Sequence, residues 1–162
     1  MKVSVLVPVF NTEPSELERC ISSLLCQRFE QYEIIIVDDG SVPCPQRDRL
    51  IASYSTNPII NCVRHEKNLG LPSARNTALR IAVGEFVVHV DSDDYWITDS
   101  VLKKLYETAI IDGCDVLRFN GQYSSGGKLG ARLVPKIECV NKALNAESKL
   151  QVFRTIFLFF YR

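Results

Sequence analysis

The sequence predicts an α/β fold, an open and mostly parallel sheet flanked by helices, on three observations. Apolar, β-branched stretches alternate along the chain with stretches of helical period. The strand-like stretches are apolar on both faces, as in a sheet covered by helices on each side. Three of them stop abruptly at polar residues: Asn11, Asp38-Asp39-Gly40-Ser41 and Asp91-Ser92-Asp93-Asp94. Strands alternating with helices imply parallel neighbours joined by right-handed crossovers, so the expected sheet is Rossmann-like.

Residues 2–9 make the first strand, and Leu17, Cys20, Ile21, Leu24 and Leu25 then recur at helical spacing behind Pro14 and Ser15. Residues 33–37 are the second strand, broken by Asp38-Asp39-Gly40-Ser41 and followed by a weaker helix through Leu50 to Tyr54. Residues 59–63 form the third strand. After the loop Asn68-Leu69-Gly70 comes a helix with Pro72 in its first turn and Ala74, Ala78, Ile81 and Ala82 toward the core. Residues 85–90 are the fourth strand, residues 99–111 a helix carrying Val101, Leu102, Leu105 and Ile110, and residues 115–119 one more strand. Beyond Asn120 the pattern loosens: Ser124-Ser125-Gly126-Gly127 predicts the turn of a hairpin, and residues 146–161 a final helix. Residues 1–120 are therefore expected to form an α/β domain. Residues 121–162 are expected to begin a further region, cut short inside an aromatic run.

Composition narrows the function. The 19 basic and 19 acidic residues cancel, which argues against a nucleic-acid partner, since such proteins carry a basic excess. Six cysteines stand singly with no Cys-x-x-Cys pair, so zinc-ribbon and redox motifs are excluded and reduced, core-filling thiols in a cytoplasmic protein are expected. The apolar start, residues 3–10, runs into Asn11-Thr12-Glu13 without a small-residue cleavage site and reads as a strand rather than a signal peptide. No stretch has the length of a membrane-spanning helix. The aromatic residues before Arg162, with Arg154 on their other side, allow peripheral contact with the inner membrane face.

In open parallel sheets ligands bind beyond the carboxyl ends of the strands, and this sequence sets its unusual polar residues there. The three carboxylates of Asp91-Ser92-Asp93-Asp94 repel one another unless a cation or many donors compensate. Mg²⁺ and Mn²⁺ prefer oxygen ligands and take one or two carboxylates plus substrate phosphates. The absence of His or Cys from the cluster excludes zinc. Helix capping is the alternative role, best suited to Asp94 or Asp99. Asp39 can accept hydrogen bonds in the crevice, with Gly40 allowing a sharp turn or close backbone approach; an ordinary turn opening a helix is the alternative. Arg75 is poorly placed for the helix dipole, which suits a ligand role as well as a solvated surface position. His65 and His89 carry weaker signals, His89 as a core or flank residue, and Tyr95 and Trp96 can wall a pocket or pack in the core.

Taken together, Val5-Leu6-Val7-Pro8-Val9-Phe10-Asn11, Ile36-Val37-Asp38-Asp39-Gly40-Ser41, Asn68-Leu69-Gly70 with Ala74-Arg75-Asn76, and Asp91-Ser92-Asp93-Asp94 resemble, in order and spacing, family 2 glycosyltransferases of the GT-A type over about residues 2–119. The resemblance implies metal-dependent, inverting transfer of a sugar from a nucleotide diphosphate donor, usually a uridine diphosphate sugar, to a hydroxyl of a saccharide or lipid-linked acceptor. It implies that Pro8, Val9, Phe10 and Asn11 line the nucleotide with Glu13 nearby, that Asp39 hydrogen-bonds the uracil, and that Asn68 and Arg75 lie beside base or diphosphate. Asp91, Ser92 and Asp93 then form the Asp-x-Asp motif, with Asp91 toward the ribose or metal-bound water and Asp93 on a Mn²⁺ or Mg²⁺ ion.

One departure stands out. The family's general base comes later in the chain, and beyond residue 119 only Glu138 and Glu147 are acidic, neither in a recognisable motif. No base is assigned, and a nucleotide-sugar-binding fragment inactive on its own is the alternative to a working enzyme. A nicotinamide dehydrogenase is excluded because Asn11-Thr12-Glu13-Pro14 has no glycine where Gly-x-Gly-x-x-Gly is required. An aspartyl phosphotransferase fits Asp91-x-Asp93 less well, because Tyr95 stands where that pattern has Thr or Val. A nucleotidyltransferase lacks its glycine-rich basic loop.

Overall fold

A computed structural model describes residues 1–119 and, beyond them, the strands at 122–125, 128–132, 138–140 and 159–161. In chain order the elements are β1 (Val3–Val9), α1 (Pro14–Leu25), β2 (Tyr32–Asp38), α2 (Pro45–Tyr54), β3 (Ile60–Arg64), α3 (Leu71–Ile81), β4 (Phe86–His89), α4 (Val101–Ile111) and β5 (Val116–Arg118), then β6 (Gln122–Ser125), β7 (Lys128–Arg132), β8 (Glu138–Val140) and β9 (Phe159–Tyr161). The main sheet has the order β3-β2-β1-β4-β9-β5-β8, and β6 pairs with β7 as a separate hairpin. The strands β3, β2, β1 and β4 are mutually parallel, which makes the expected α/β sheet, and β9 runs antiparallel to both β4 and β5.

Alternation of side chains splits the core into two layers. Val3, Val5, Val7, Val9, Ile34 and Ile36 face a layer with Leu17, Cys20, Ile21 and Leu24 of α1 and Leu102, Leu105 and Ala109 of α4. Leu6, Ile35 and Val37 face the other way, onto Ala74 and Ala78 of α3. Every residue of β1 is buried, which explains why the strand shows no polar face in the sequence. Small residues on α3 let that helix lie close to β1 and β2 and carry its amino-terminal turn to their carboxyl ends.

Two expectations need correction. Residues 159–161, expected to end a helix, form β9; the rest of that expected helix, residues 146–158, lies outside the described residues. Consecutive aromatic residues favour a pleated strand, and the slot between β4 and β5 offers backbone partners on both sides: Val88 pairs with Phe160, and Phe160 with Leu117. The thiols are not all reduced: Cys20, Cys26, Cys44 and Cys62 are free, whereas Cys114 is disulfide-bonded. Helix α2 runs from Pro45 through Leu50 to Tyr54, as expected, and the proline at its first turn is already set for helical φ. The hairpin expected around residues 124–127 is present as β6 and β7, with residues 126 and 127 themselves outside the described set. Among the described residues no helix is long and apolar enough to cross a membrane.

Candidate functional site

The carboxyl ends of β1, β2 and β4 form one rim. β1 and β2 stay joined past their last pair, where the Asp39 N–H donates to the Val9 carbonyl at 2.8 Å. Asn11 then turns the chain with φ of 54°, the left-handed region that asparagine tolerates better than most residues. Its N–H donates to Ser41 Oγ at 2.9 Å, and its Oδ1 accepts from the Val42 N–H at 2.9 Å. Below this loop the guanidinium of Arg47, only 3% exposed, donates to the carbonyls of Thr12 and Val42. A buried cation on two backbone carbonyls thus clamps the loops after β1 and β2 together.

Asp39 is almost fully buried at 2% exposure, and its carboxylate is held on three sides. Oδ1 accepts from His65 Nδ1 at 2.6 Å and from the Leu69 N–H at 3.0 Å; Oδ2 accepts from the Gly70 N–H at 2.8 Å. Burial pushes the Asp39 carboxyl up, but the His65 hydrogen bond and the two backbone N–H groups outweigh it and hold the pKa below the usual carboxylate range. The loop comes this close because position 40 has no side chain. Gly40 adopts φ of +66°, and a Cβ there would lie 2.3 Å from the Lys67 carbonyl carbon. Pro8, Val9, Phe10, Asp39, Asn68, Gly70, Leu71 and Ala74 line a cleft of about 130 Å³. Phe10 and Leu71 are substantially exposed at its mouth.

From this cleft α3 leads to the aspartate loop. Arg75, next to Ala74, places Nη2 2.9 Å from Asp91 Oδ1, with both side chains partly exposed. Ser92 is buried and shares a 2.6 Å hydrogen bond with Thr12, tying the loop after β4 to the loop after β1. Asp93 is exposed and makes no hydrogen bond or ion pair among the described residues. The local field is negative. Partial burial, then the Asp93 and Asp91 charges, push the Asp94 carboxyl up, while Arg19 offsets part of the rise. Under the loop, burial and the charges of Asp94, Asp93 and Asp91 push the Cys20 thiol up to about 12, leaving it un-ionised and unreactive at neutral pH.

Among the described residues no group of three or more His, Cys, Asp or Glu side chains is disposed to hold a metal. What the loop offers is two carboxylates without a hydrogen-bond or ion-pair partner among the described residues, Asp93 and Asp94, beside a third, Asp91, already paired with Arg75. That donor set fits a hard cation completing its shell with water and substrate phosphates, the usual Mg²⁺ mode, and not a closed protein cage.

The structure therefore brings Pro8, Val9, Phe10, Asp39 and Asn68 to one cleft, with Asn11 on its rim and Arg75, Asp91 and Ser92 linked to it. Glu13 is the exposed residue before α1, where it makes no side-chain cap. Trp96 packs against the core and lines a separate cleft of about 270 Å³ with Ser22, Ser23 and Cys26. Tyr95 lies under the Arg19 guanidinium at 4.5 Å. His89 is neutral, pushed down to about 4 by burial and by Arg75. Sequence reasoning undervalued His65 and passed over Thr12 and Arg47, whose contacts bridge separate strands and leave no local signature.

A family model described as glycosyl transferase family 2 matches residues 4–160, farther than the motifs alone reach. An uncharacterized glycosyltransferase, EpsJ of Bacillus subtilis, is 36% identical over 84% of this chain and 38% of its own. The crystal structure of S. aureus TarS residues 1–349 in complex with UDP-GlcNAc is 36% identical with a TM-score of 0.64, over 72% of this chain and 33% of that one. A mannosyltransferase from Pyrobaculum calidifontis in complex with GDP-Man and Mn²⁺ is 26% identical with the same TM-score of 0.64, over 71% and 34%. This chain thus spans little more than a third of the length of these relatives. With a match over nearly all its residues, on a sheet whose β1, β2 and β4 ends, together with the start of α3, carry the four motifs in order, the chain belongs to glycosyltransferase family 2 and has the GT-A type of fold.

Proposed function

We propose that this chain supplies the donor-binding part of a glycosyltransferase that moves a sugar from a nucleotide diphosphate, a uridine diphosphate sugar, to a hydroxyl of a saccharide or lipid-linked acceptor with inversion. One observation carries the reading: a single rim joins an apolar cleft closed by a buried carboxylate to a loop with exposed, unpaired ones, with α3 bridging them through Ala74 and Arg75. Residues 1–120 are the donor-binding domain in this reading, and residues 121–162 begin the acceptor side.

The residues divide the work by chemistry. Pro8, Val9 and Phe10 present apolar surface to the base, and Asp39 accepts a hydrogen bond from its imide N–H. Asn68 has its carbonyl engaged by the Gly70 N–H at 2.7 Å, which leaves its amide N–H₂ for a base carbonyl. Arg75 is the cation nearest the aspartate loop and can exchange Asp91 for a phosphate oxygen. Asp93, with Asp91, would hold Mn²⁺ or Mg²⁺, which when bound supplies Lewis-acid stabilisation of the charge that gathers on the leaving diphosphate. The general base is left unassigned. The alternative is a binding segment that does not turn over by itself, favoured by the share of its relatives' length that the chain spans.

Calorimetry with UDP and Mn²⁺, followed by a donor-hydrolysis assay, tests both. Metal-enhanced UDP binding is expected, weakened at least about tenfold by Asp93→Ala, since even outer-shell changes at metal sites cost about 10–100-fold. Binding unaffected by metal and by Asp93→Ala removes the assignment of the loop. Binding without hydrolysis selects the alternative.

A further inference from the structure

The fold does not settle which nucleotide is bound: relatives holding UDP-GlcNAc and GDP-Man superpose on this chain with the same TM-score of 0.64. The choice must come from side chains that meet the base, and Asp39 is the buried ionisable group in the cleft.

We propose that His65 is a positioning residue that makes Asp39 a one-site acceptor and thereby selects uracil over guanine. The proposal rests on the uridine reading above and deepens it. A carboxylate oxygen has two lone-pair positions. Oδ1 of Asp39 fills both, with His65 Nδ1 at 2.6 Å and the Leu69 N–H at 3.0 Å. Oδ2 fills one, with the Gly70 N–H at 2.8 Å, and keeps one. Because an ionised carboxylate only accepts, the His65 proton sits on Nδ1. The ring is fixed from its other side, where Nε2 lies 2.9 Å from Thr77 Oγ1, which also accepts from Arg80 at 2.9 Å. His65 is only 10% exposed at its side chain, so it has little room to rotate away.

The consequence follows from the edges of the bases. Uracil offers one N–H flanked by two carbonyls, so a single free acceptor with an amide donor beside it satisfies its central pair. Guanine offers two adjacent donors, N1–H and the 2-amino group, whose natural complement is both oxygens of one carboxylate. With Oδ1 occupied, the 2-amino group enters the cleft without an acceptor. A buried donor left unpaired costs about tenfold to a hundredfold in affinity. Removing the imidazole frees an Oδ1 position and lets the carboxylate rotate, so guanine gains what uracil loses.

The test titrates UDP and GDP, each with Mn²⁺, into the full chain as wild type, His65→Ala, His65→Asn and Thr77→Val. The wild type is expected to prefer UDP by about tenfold or more. His65→Ala should bring the ratio toward one, and His65→Asn, whose amide N–H₂ stands where Nδ1 stood, should restore most of it. Thr77→Val leaves both partners in place and should shift the ratio less, in the same direction. In parallel, carboxyl ¹³C NMR of the ligand-free proteins follows the Asp39 titration, which should move up in His65→Ala and return in His65→Asn. An unchanged ratio or an unchanged Asp39 titration in folded His65→Ala overturns the role of His65 alone. A wild type that prefers GDP overturns the selection of uracil together with the uridine reading, whatever the NMR shows.

Discussion

At Gly40 two constraints meet: a left-handed φ of +66° and the backbone of Lys67 and Asn68, whose atoms would stand 2.3 and 2.5 Å from any Cβ. Gly40→Ala is expected to cost roughly 2 kcal/mol or more, because neither backbone can yield without moving the Asp39 loop; urea unfolding measures it, and an unmoved midpoint would contradict the constraint. Asp39 makes a prediction in pH. Its folded pKa lies below the unfolded value of about 3.9, so its contribution to stability is complete above that value and disappears as pH falls through the folded pKa. Unfolding free energies taken from pH 6 down to pH 2 should fall more in the wild type than in Asp39→Asn. At this scale the sequence revealed Asp39 as polar, turn-placed and aimed at a crevice. It did not reveal His65 as its partner, because the two lie 26 residues apart, each just past the end of a different strand, and only the β2–β3 register brings them together.

Elements whose residues satisfy one pattern alone were legible. β1 and β2 are apolar on both faces, α1 repeats Leu17, Cys20, Ile21 and Leu24, and all four stand where the pattern sets them. Elements with mixed signals were not: α2 buries only Arg47 among its own residues, so its period is faint, and the aromatic run at 159–161, though its residues favour a strand, is a short apolar run that periodicity alone does not separate from a helix end. Arg47 shows how a polar helix earns its place, by sending one buried cation into the junction of two loops. Arg47→Met keeps the volume of the stem and strands two carbonyls, so a loss of about 1–3 kcal/mol is expected in thermal unfolding, with weaker UDP binding because Thr12 and Val42 lose their shared anchor. Preserved stability in that variant would mean that water takes over the guanidinium's contacts.

Across the whole molecule, a ligand that bridges three strand ends should stabilise the folded state by mass action. UDP with Mn²⁺ at a hundred times its dissociation constant contributes about 2.7 kcal/mol, which for a chain of this size corresponds to roughly 5–10 °C in Tm. Differential scanning fluorimetry should show that rise, smaller without metal, and its absence in the presence of both would remove the common rim. The order of the strands in the sheet, β3-β2-β1-β4-β9-β5-β8, also dictates an order in time. As the ribosome delivers the chain, β1 to β4 can assemble one after another from residues 3–89, yet the far edge of β4 meets its partner only when residues 159–161 emerge. Until then Val87 and Val88 present open backbone in what becomes the middle of the sheet. Such an edge is a template for pairing with another nascent chain, so this protein is most vulnerable to self-association in the interval of synthesis between its fourth strand and its ninth.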